Sequence, residues 1–541
     1  MDFKENQTAQ KLRGGYYTPP DIAAYLAKWV SAIKPRNVLE PSCGDGAFIQ
    51  ALAPYSEGLS ISAFEIDQAE AKKAWIRANE QSFSKVDIRI EDFLEWSLSQ
   101  ILEGYEGYDA VVGNPPFIRY QFLPKNFQTH SERIFSALEC KFTKHTNAWV
   151  PFILASVSLM RPGGRLAMVV PSEIVHVMHA QSLRSYLGKE CRRLVIIDPQ
   201  ELWFEGTLQG AVILMAEKAA EGEHREGLVI RSVSGREFLH NDPETMFNSG
   251  VAINGKTVSG KWTNALLSRN AMSLLNTLDE EKNFSRFDDV AEVAVGIVTG
   301  ANKFFLVPDE TVERFDLSDW AHPMFGRSDH CPGILYNEEQ HLQNARAGKP
   351  TNFLWFEDEE VEDHPGAKSY IESGESGNLH KRYKCRIREN WYSVPSVYSA
   401  PIGMLKRAHD TPRLILNEIQ AYTTDTAYRI TSKGVGNRNL VFGFHNPLTA
   451  LSAELEGRHY GGGVLELVPS EIRKLRLPKV SKENPDLSKL DEDIRELDVE
   501  VMLERQGKRI LEPLGVSSAE RLELLSAWDS LRKRRQRVGT S

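Results

Sequence analysis

Residues 1 to about 220 alternate short apolar runs with amphipathic segments, and this alternation constrains the fold more than any other feature of the chain. The runs have the length of buried strands, and several of the intervening segments have the period of helices. Strand and helix in alternation predict an α/β domain with a mostly parallel sheet and helices on both faces. The predicted strands are Asn37–Glu40, Ser60–Glu65, Asp87–Ile90, Asp109–Val112, Arg165–Val170, Arg193–Ile197 and Ala211–Met215.

The segment before the first strand has the clearest helical period. Its apolar residues recur at the i, i+3, i+4, i+7 spacing of one helix face. Asp21 follows two prolines, Pro19 and Pro20, and is predicted to be the N-cap of this helix. The apolar face comprises Ile22, Tyr25, Leu26, Trp29, Val30 and Ile33.

The chain of 541 residues is too long for one core, because single cores rarely grow past about 250–300 residues. A polar stretch, Glu217–Glu226, interrupts the alternation and is predicted to be a linker. The following chain mixes strand-like pieces with Gly, Pro and charge clusters, and the last 60 or so residues are helical in pattern, with a capping box at Ser517 and Glu520. We therefore expect three segments, at 1–225, 226–485 and 486–541.

Composition places the chain among ordinary globular proteins, with 41% hydrophobic and 26% charged residues. The longest nearly uninterrupted apolar stretch, Ala148 to Met160, is shorter than the roughly 18 residues of a membrane span, so no membrane partner is expected. Five scattered cysteines indicate neither a disulfide framework nor a zinc site, and no metal is expected. The cytosol is the expected compartment.

Four residues, Asn114-Pro115-Pro116-Phe117, directly follow a predicted buried strand. The prolines stiffen the loop and offer no backbone N–H, so the loop presents carbonyl oxygens, one amide side chain and an aromatic ring. Such a set can accept hydrogen bonds from a planar NH2 group and stack on the ring that carries it, and adenine fits this description. A simple strand-ending turn is the alternative, since Asn-Pro commonly begins turns.

A glycine-bearing turn follows the first predicted strand and leads into a helix. Gly44 and Gly46 allow close approach of the backbone to a ligand, and the helix N-terminus offers free N–H groups. The turn lacks the third glycine of a dinucleotide fingerprint, where Ile49 stands instead. Glu40, at the end of the strand, also suits a cationic ligand better than a pyrophosphate, and S-adenosylmethionine is such a cation. A loop-capping role is the alternative for Glu40.

Two further strands end in acidic residues followed by apolar ones. Glu65 can accept hydrogen bonds from both hydroxyls of a ribose, and Ile66 can pack on an adenine face. Asp92 can accept from the adenine amine of the cofactor, and Phe93 can stack on the ring. A single acid at a strand end is more often a cap than a ligand. Three in register, at the carboxyl ends of parallel strands, predict a binding site.

These motifs together make the chain resemble the gamma class of DNA adenine-N6 methyltransferases of type II restriction-modification systems. The resemblance covers nearly all of residues 11–216, and in this class the Thr-Pro-Pro segment precedes the glycine loop and target recognition lies C-terminal to catalysis. The matching stretches are Gly14–Pro20, Leu39–Gly46, Phe64–Asp67, Glu91–Leu94 and Gly113–Phe117.

The resemblance implies a class I S-adenosylmethionine-dependent methyltransferase domain at 1–225, with a Rossmann-like sheet of seven strands, the last antiparallel. It implies that Tyr17 and Thr18 close over the methionine end of the cofactor, with Glu40 and Pro41 beside them. It implies that Asn114, Pro115, Pro116 and Phe117 hold a flipped-out adenine. It further implies that Phe204 packs on the other face of that base, with plain core packing as the alternative for Phe204.

The C-terminal half is similar to the recognition domains of larger members of the class, so 226–485 is expected to be a mixed α+β domain that binds double-stranded DNA, followed by a helical segment at 486–541. The net charge of −9 does not exclude this partner, because phosphate binding depends on local positive surface. Basic residues crowd Lys381–Arg388, near Tyr383, Trp391 and Tyr392. Basic and aromatic residues together indicate DNA contacts; a solvated strand edge is the alternative.

The sequence thus predicts transfer of a methyl group from S-adenosylmethionine to N6 of adenine in DNA. Methylation of another planar NH2 group, in RNA, at cytosine N4 or in protein glutamine, stays open, as does a non-catalytic DNA-binding subunit. A fused nuclease is not expected, because no convincing nuclease motif stands before residue 11. A separate restriction endonuclease is therefore a candidate partner.

Overall fold

The computed structural model describes residues 17–201, 210–356, 361, 363–460 and 462–537. The chain divides into two compact units. The first extends to Leu266 and includes Arg537, and the second runs from Leu267 to Gln536. Among the described residues, no helix is long and apolar enough to cross a membrane.

The first unit is built on an eight-stranded sheet with the order β3-β2-β1-β4-β5-β7-β6-β8. All neighbouring strands are parallel except β7, which runs antiparallel to both β5 and β6. The strands are β1 (Asn37–Glu40), β2 (Ser60–Phe64), β3 (Lys85–Arg89), β4 (Tyr108–Gly113), β5 (Met160–Pro171), β6 (Cys191–Pro199), β7 (Ala211–Lys218) and β8 (Gly227–Val233).

Helices cover both faces of this sheet. Successive residues of a strand point to opposite faces, so the apolar strands place side chains on both faces that must be buried. Leu39, Val111 and Leu166 belong to one apolar cluster, whereas their neighbours Val38 and Ala110 belong to the other. The helices are α1 (Pro20–Ser31), α2 (Ala47–Leu52), α3 (Gln68–Asn79), α4 (Phe93–Leu102), α5 (Lys125–Ala137), α6 (Trp149–Ser158), α7 (Gln181–Glu190), α8 (Pro243–Asn248) and α9 (Lys256–Ser259).

The seven predicted strands and the antiparallel direction of the seventh are confirmed. The predicted total of seven and the boundary at 225 differ from the structure, because β8 pairs in parallel with β6 from Gly227 to Val233. The sheet-containing unit therefore continues to Leu266, and the polar stretch Glu217–Glu226 is a connection within it. The charged residues of that stretch made a turn between neighbouring strands look like a linker between domains.

Helix α1 begins one residue before the predicted N-cap. Its N-cap is Pro19, and Asp21 lies in the first turn. Proline at the first helical position has no N–H to leave unpaired and has a suitable φ, so the helix can begin there without a side-chain cap. The predicted apolar face is buried within the helix, with Ile22, Leu26 and Trp29 fully inaccessible to solvent, whereas Ile33 is half-buried and lies beyond the helix end at Ser31.

The second unit is a mixed α+β structure around a five-stranded sheet of order β10-β18-β15-β17-β13. Smaller sheets have the orders β11-β14-β12, β16-β20-β19 and β21-β9. The strands are β9 (Phe284–Arg286), β10 (Ala291–Val295), β11 (Leu306–Val307), β12 (Ala321–Pro323), β13 (Leu335–Tyr336), β14 (Asn352–Leu354), β15 (Ile402–Leu405), β16 (Arg407–Ala408), β17 (Leu414–Asn417), β18 (Ala427–Ser432), β19 (Arg458–Tyr460), β20 (Val464–Glu466) and β21 (Arg476–Pro478).

The helices of this unit include the predicted helical C-terminal segment. They are α10 (Arg269–Glu280), α11 (Phe287–Val290), α12 (Asn302–Phe305), α13 (Asp309–Phe315), α14 (Glu338–Arg346), α15 (Pro365–Ser376), α16 (Tyr383–Arg386), α17 (Asn437–Phe444), α18 (Pro447–Glu456), α19 (Pro469–Ile472), α20 (Leu487–Glu496), α21 (Val499–Ile510) and α22 (Ser518–Gln536).

The helices after residue 486 form no separate body, contrary to the predicted third segment, because they pack into the second unit. Arg535 of α22 is buried and forms an ion pair of 2.7 Å with Glu454 of α18. The predicted capping box is confirmed: the Ser517 N–H donates to the Glu520 carboxylate at 2.7 Å, and the Glu520 N–H donates to Ser517 Oγ at 3.3 Å.

Candidate active site

A cavity of about 330 Å³ lies at the carboxyl ends of β1, β2 and β4, where open α/β sheets bind ligands. Its lining has an unusual charge distribution. Within the described part of the chain, no Lys, Arg or His lines it, whereas seven carboxylates do. These are Glu40, Asp45, Glu65, Asp67, Glu70, Glu91 and Asp92. Such a cavity favours a cationic ligand and disfavours a phosphate.

The glycine turn between β1 and α2 forms one wall. Gly44 and Gly46 both have positive φ, at 53° and 85°. A Cβ on Gly46 would lie 2.9 Å from the Ala74 Cα in α3, whereas a Cβ on Gly44 would meet no atom within 4 Å. Gly44 lines the cavity and Gly46 does not, so Gly46 serves the packing of the turn against α3.

Glu65 ties the end of β2 to the glycine turn. One carboxylate oxygen accepts from the Gly44 N–H at 2.9 Å, and the other accepts from the Asp67 N–H at 2.8 Å. Ile66 is 74% exposed beside it and lines the cavity. The two residues therefore present a fixed carboxylate and an apolar surface side by side, and their predicted contacts with a ribose and an adenine stay a prediction.

Glu40 is the most deeply buried acid of the cavity, at 1% exposure. Among the residues that the structure describes, none forms a hydrogen bond with its Oε2 atom. Burial, followed by the charges of Asp45 and Glu65, raises the pKa of Glu40 well above its usual value. A buried acid without a partner costs stability, so this position is suited to a ligand that brings a positive charge.

Asp92 serves as a cap and as a cavity wall. Its Oδ1 accepts from the Leu94 N–H at 2.9 Å and so caps α4, while its Oδ2 lies 3.7 Å from His130 Nδ1. Phe93 also lines the cavity but is only 2% exposed. Its ring packs against Phe64 and Phe152, with centroid distances of 5.4 and 5.3 Å, so Phe93 is largely part of the core.

Asn114 lies at the end of β4 and lines the cavity, with hydrogen bonds that fix it on two sides. Its Nδ2 donates to Thr18 Oγ1 at 3.2 Å, and its backbone carbonyl accepts from Ser42 Oγ at 3.1 Å. Thr18 is buried just before α1. The Thr-Pro-Pro segment, the glycine turn and the Asn-Pro-Pro-Phe loop therefore meet at one residue, Asn114.

The other predicted residues of this loop differ in their surroundings. Pro116 lines the cavity, Pro115 is buried behind it, and Phe117 is half-buried against the apolar cluster on the α1 side of the sheet. Phe117 does not line the cavity. Phe204 lies outside the described residues.

Tyr17 and Pro41 both line the cavity. The Tyr17 ring is 45% exposed, and its hydroxyl donates to the Glu70 carboxylate at 3.1 Å. Lys73 donates to the same hydroxyl at 3.5 Å. These contacts hold Tyr17 against α3 at the edge of the cavity, beside the Thr18–Asn114 hydrogen bond.

Sequence reasoning missed the wall formed by α5 and α6. Asn126, Phe127 and Phe152 line the cavity, although no motif marks them. It also missed two successive hydrogen bonds behind the loop: the Tyr120 N–H donates to Asn147 Oδ1 at 3.1 Å, and Asn147 Nδ2 donates to Glu173 at 3.2 Å. Ser42 was within a quoted motif, but its hydroxyl had no predicted role.

Two family models match the chain and together cover most of it. The Eco57I restriction-modification methylase model matches residues 33–204, and the model of the C-terminal domain of the type II methyltransferase M.Eco57I matches residues 259–511. The chain belongs to the type II restriction-modification methyltransferases. The resemblance noted in the sequence is confirmed at this level.

Individual members of this methyltransferase family match along most of their length. The type II methyltransferase M.AccI of Acinetobacter calcoaceticus is 25% identical, over 85% of this chain and 84% of that protein. M.BanIII of Aneurinibacillus aneurinilyticus is 22% identical, over 82% and 84%. The solved structure of the DrdV–DNA complex is 12% identical and covers 91% of this chain and 57% of its own, with a TM-score of 0.50. That likeness concerns the fold alone. The predicted fold class, an α/β class I methyltransferase fold with a C-terminal domain, is confirmed.

Proposed function

We propose that this chain transfers a methyl group from S-adenosylmethionine to N6 of an adenine in double-stranded DNA. The observation that carries the proposal is the position of Asn114 at the wall of an acid-lined cavity, where its side-chain amide donates to Thr18 and its backbone carbonyl accepts from Ser42. Family membership and relatives named type II methyltransferases support methyl transfer to DNA.

The residues of the cavity fit S-adenosylmethionine. Its positive charges suit a cavity lined by carboxylates, above all by Glu40, whose buried Oε2 has no hydrogen-bond partner among the described residues. The fixed carboxylate of Glu65 can accept from ribose hydroxyls, with Ile66 against the adenine. When bound, this cofactor supplies a methyl carbon made electrophilic by the adjacent sulfonium.

The loop after β4 would act on the amino group of the substrate. With Nδ2 bound to Thr18, the Asn114 amide oxygen is the end that would accept one hydrogen of N6, and the Pro115 carbonyl would accept the other. Two acceptors localise the nitrogen lone pair, which is otherwise delocalised into the ring. Alignment and this polarisation would be the main catalytic contributions.

Reaching these groups requires the adenine to leave the duplex, which costs a few kcal/mol. Phe117 would stack on the extruded base and offset part of this cost, since base–aromatic stacking contributes about 1–3 kcal/mol. Phe117 is half-buried and directly follows Pro116, which lines the cavity. Phe204 would stack on the other face.

Substitution of Asn114 by alanine tests the proposal. We expect the Asn114→Ala variant to lose at least about a hundredfold in kcat, because loss of one preorganised polar group costs about 2.7–4 kcal/mol in comparable sites. Affinity for S-adenosylmethionine, measured by calorimetry, should change little. Methylated duplex DNA digested to nucleosides and analysed by mass spectrometry should contain N6-methyl-2′-deoxyadenosine.

Asn79→Ala, on the exposed end of α3, is the matched control and should retain activity. Detection of N4-methylcytosine, or methylation confined to RNA or protein, would replace adenine with another NH2 substrate. Near-full activity of Asn114→Ala would remove Asn114 from the mechanism.

A further inference from the structure

An exposed basic segment of the second unit has no role in the cavity chemistry. It spans a turn of 3-10 helix, Leu379–Lys381, and the short helix α16. Tyr383 and Ile387 are 64% and 60% exposed. We call the exposed side chains of this segment the cationic ridge: Lys381, Arg382, Tyr383, Lys384, Arg386 and Ile387.

The ridge is fastened to the body of its unit by its inward-facing residues. Cys385 is fully buried, and Arg388 donates to the Val298 carbonyl at 2.7 Å and to the Trp391 carbonyl at 3.4 Å. Trp391 in turn donates through Nε1 to Glu375 at 3.1 Å. Arg388 and Trp391, which the sequence grouped with the ridge, therefore serve structure, and the exposed residues are held on a fixed base.

A close backbone approach adds to this attachment. A Cβ on Gly300 would lie 2.8 Å from the Lys384 Cβ, so the loop that contains Val298 runs directly under α16. The segment is a turn and a helix rather than the solvated strand edge that was the alternative in the sequence. Its side chains project from a packed surface.

The chemistry of the ridge favours a polyanion that also offers apolar surface. Lys384 Nζ and Arg386 Cζ both lie 5.7 Å from the Tyr383 ring centroid, so an exposed aromatic ring is flanked by cations. Glu389 is the exposed carboxylate that follows directly along the chain. Cations outnumber it over Lys381–Glu389, against a net charge of −9 for the whole chain.

We infer that the cationic ridge is a DNA-contacting surface, in which Lys381, Arg382, Lys384 and Arg386 bind backbone phosphates. Tyr383, with Ile387 beside it, contacts base edges in a groove. The phosphate contacts hold the duplex, and the aromatic contact depends on base sequence. The inference rests on the proposed function, since it takes duplex DNA as the substrate.

The salt dependence of binding tests the phosphate contacts. Each phosphate contact contributes about 0.9 to the slope of log K against log salt on B-form DNA. We therefore expect each single substitution of a ridge cation by glutamine to reduce the slope by about 0.9, and the quadruple variant to reduce it by about 3–4. The single variants are Lys381→Gln, Arg382→Gln, Lys384→Gln and Arg386→Gln. Fluorescence anisotropy with a labelled duplex over a range of salt concentrations gives the slope for the full chain.

Matched controls are exposed cations elsewhere in the same unit, Arg346 of α14 and Lys508 of α21. Arg346→Gln and Lys508→Gln should leave the slope unchanged. If these controls reduce the slope as much as the ridge variants, or if the quadruple variant keeps the original slope, the inference is overturned.

Tyr383 requires a separate readout. Once the methylated site is known from long-read sequencing of host DNA, Tyr383→Ala should lose about tenfold or more in preference for that site over an unrelated duplex, with the salt slope unchanged. Tyr383→Phe should retain the preference. Equal preference in wild type and Tyr383→Ala would overturn the aromatic contact.

The outcomes distinguish this inference from the proposed function. If the unmodified chain neither binds nor methylates duplex DNA, the proposed function fails. If it methylates DNA normally while the ridge variants bind DNA as the wild type does, only the inference about the cationic ridge fails. Thermal unfolding and S-adenosylmethionine binding, which the ridge should not affect, show that each variant is folded.

Discussion

At the scale of single residues, the cavity combines stabilising and destabilising carboxylates. Glu65 accepts two backbone hydrogen bonds and Asp92 caps a helix, so each contributes to the fold. Glu40 is buried, with an oxygen that has no hydrogen-bond partner among the described residues, and its ionisation opposes folding. The sequence left a helix cap and a ligand contact as alternative roles for such acids. Asp92 is compatible with both, because it caps α4 and also lines the cavity.

Replacing Glu40 by glutamine should stabilise the ligand-free protein and weaken binding of the cofactor. A raised folded-state pKa means that the acid contributes stability at low pH, and this is lost as pH rises through the folded value. The gain from Glu40→Gln should thus be larger near pH 8 than near pH 5, at about 1–3 kcal/mol. Affinity for S-adenosylmethionine should fall about tenfold or more.

Thermal unfolding without ligand at both pH values, with calorimetry of cofactor binding, measures the two effects. Glu80→Gln, an exposed acid at the end of α3, is the control and should change neither. A Glu40→Gln variant that is less stable than wild type near pH 8 would contradict the expected sign.

At the scale of elements, sequence prediction succeeded where chemistry and periodicity are local. The first seven strands and the turn glycines could be predicted because apolar runs, Gly and Asn-Pro dipeptides indicate the local backbone conformation directly. The cavity wall formed by α5 and α6 could not be predicted, since Phe127 and Phe152 look like core residues in the sequence and reach the cavity only through tertiary packing. For the same reason β8 was missed, because its pairing with β6 crosses a polar stretch.

The two glycines of the turn should differ in their tolerance of alanine. Gly46→Ala places a Cβ 2.9 Å from the backbone of α3 at positive φ, so we expect a loss of roughly 2–5 kcal/mol in unfolding free energy. Gly44→Ala meets open space and carries only the cost of positive φ, about 1–2 kcal/mol, but reduces cofactor affinity because it lines the cavity. Denaturant unfolding of both variants checks this order, which a less stable Gly44→Ala would reverse.

At the scale of the whole molecule, the chain consists of two units with separate roles in the proposal, one for methyl transfer and one for DNA. The division at Leu266 rather than at 225 follows from β8, whose Leu228 exchanges two backbone hydrogen bonds with Ile253, at 2.9 and 2.8 Å. Both contacts lie beyond the predicted linker. Residues 226–266 thus complete the sheet, while the helices after 486 complete the second unit.

A fragment of residues 1–225 should therefore behave worse than one of residues 1–266. The shorter fragment lacks β8 and leaves β6 as an unpaired edge, which is a template for intermolecular pairing. We expect it to aggregate, while the longer fragment stays monodisperse in size-exclusion chromatography with light scattering. Equal behaviour of the two fragments would show that β8 is dispensable for the sheet.

The crowding of carboxylates around the buried Glu40 has a consequence for the amount of this protein in a cell. Any cation that fills the cavity adds to the unfolding free energy in proportion to the logarithm of its concentration over its dissociation constant. Under the proposed chemistry that cation is the methyl donor. A cell that is short of the methyl donor would then hold a larger fraction of unfolded chains, which proteases can degrade. The amount of enzyme would therefore follow the concentration of its own cofactor.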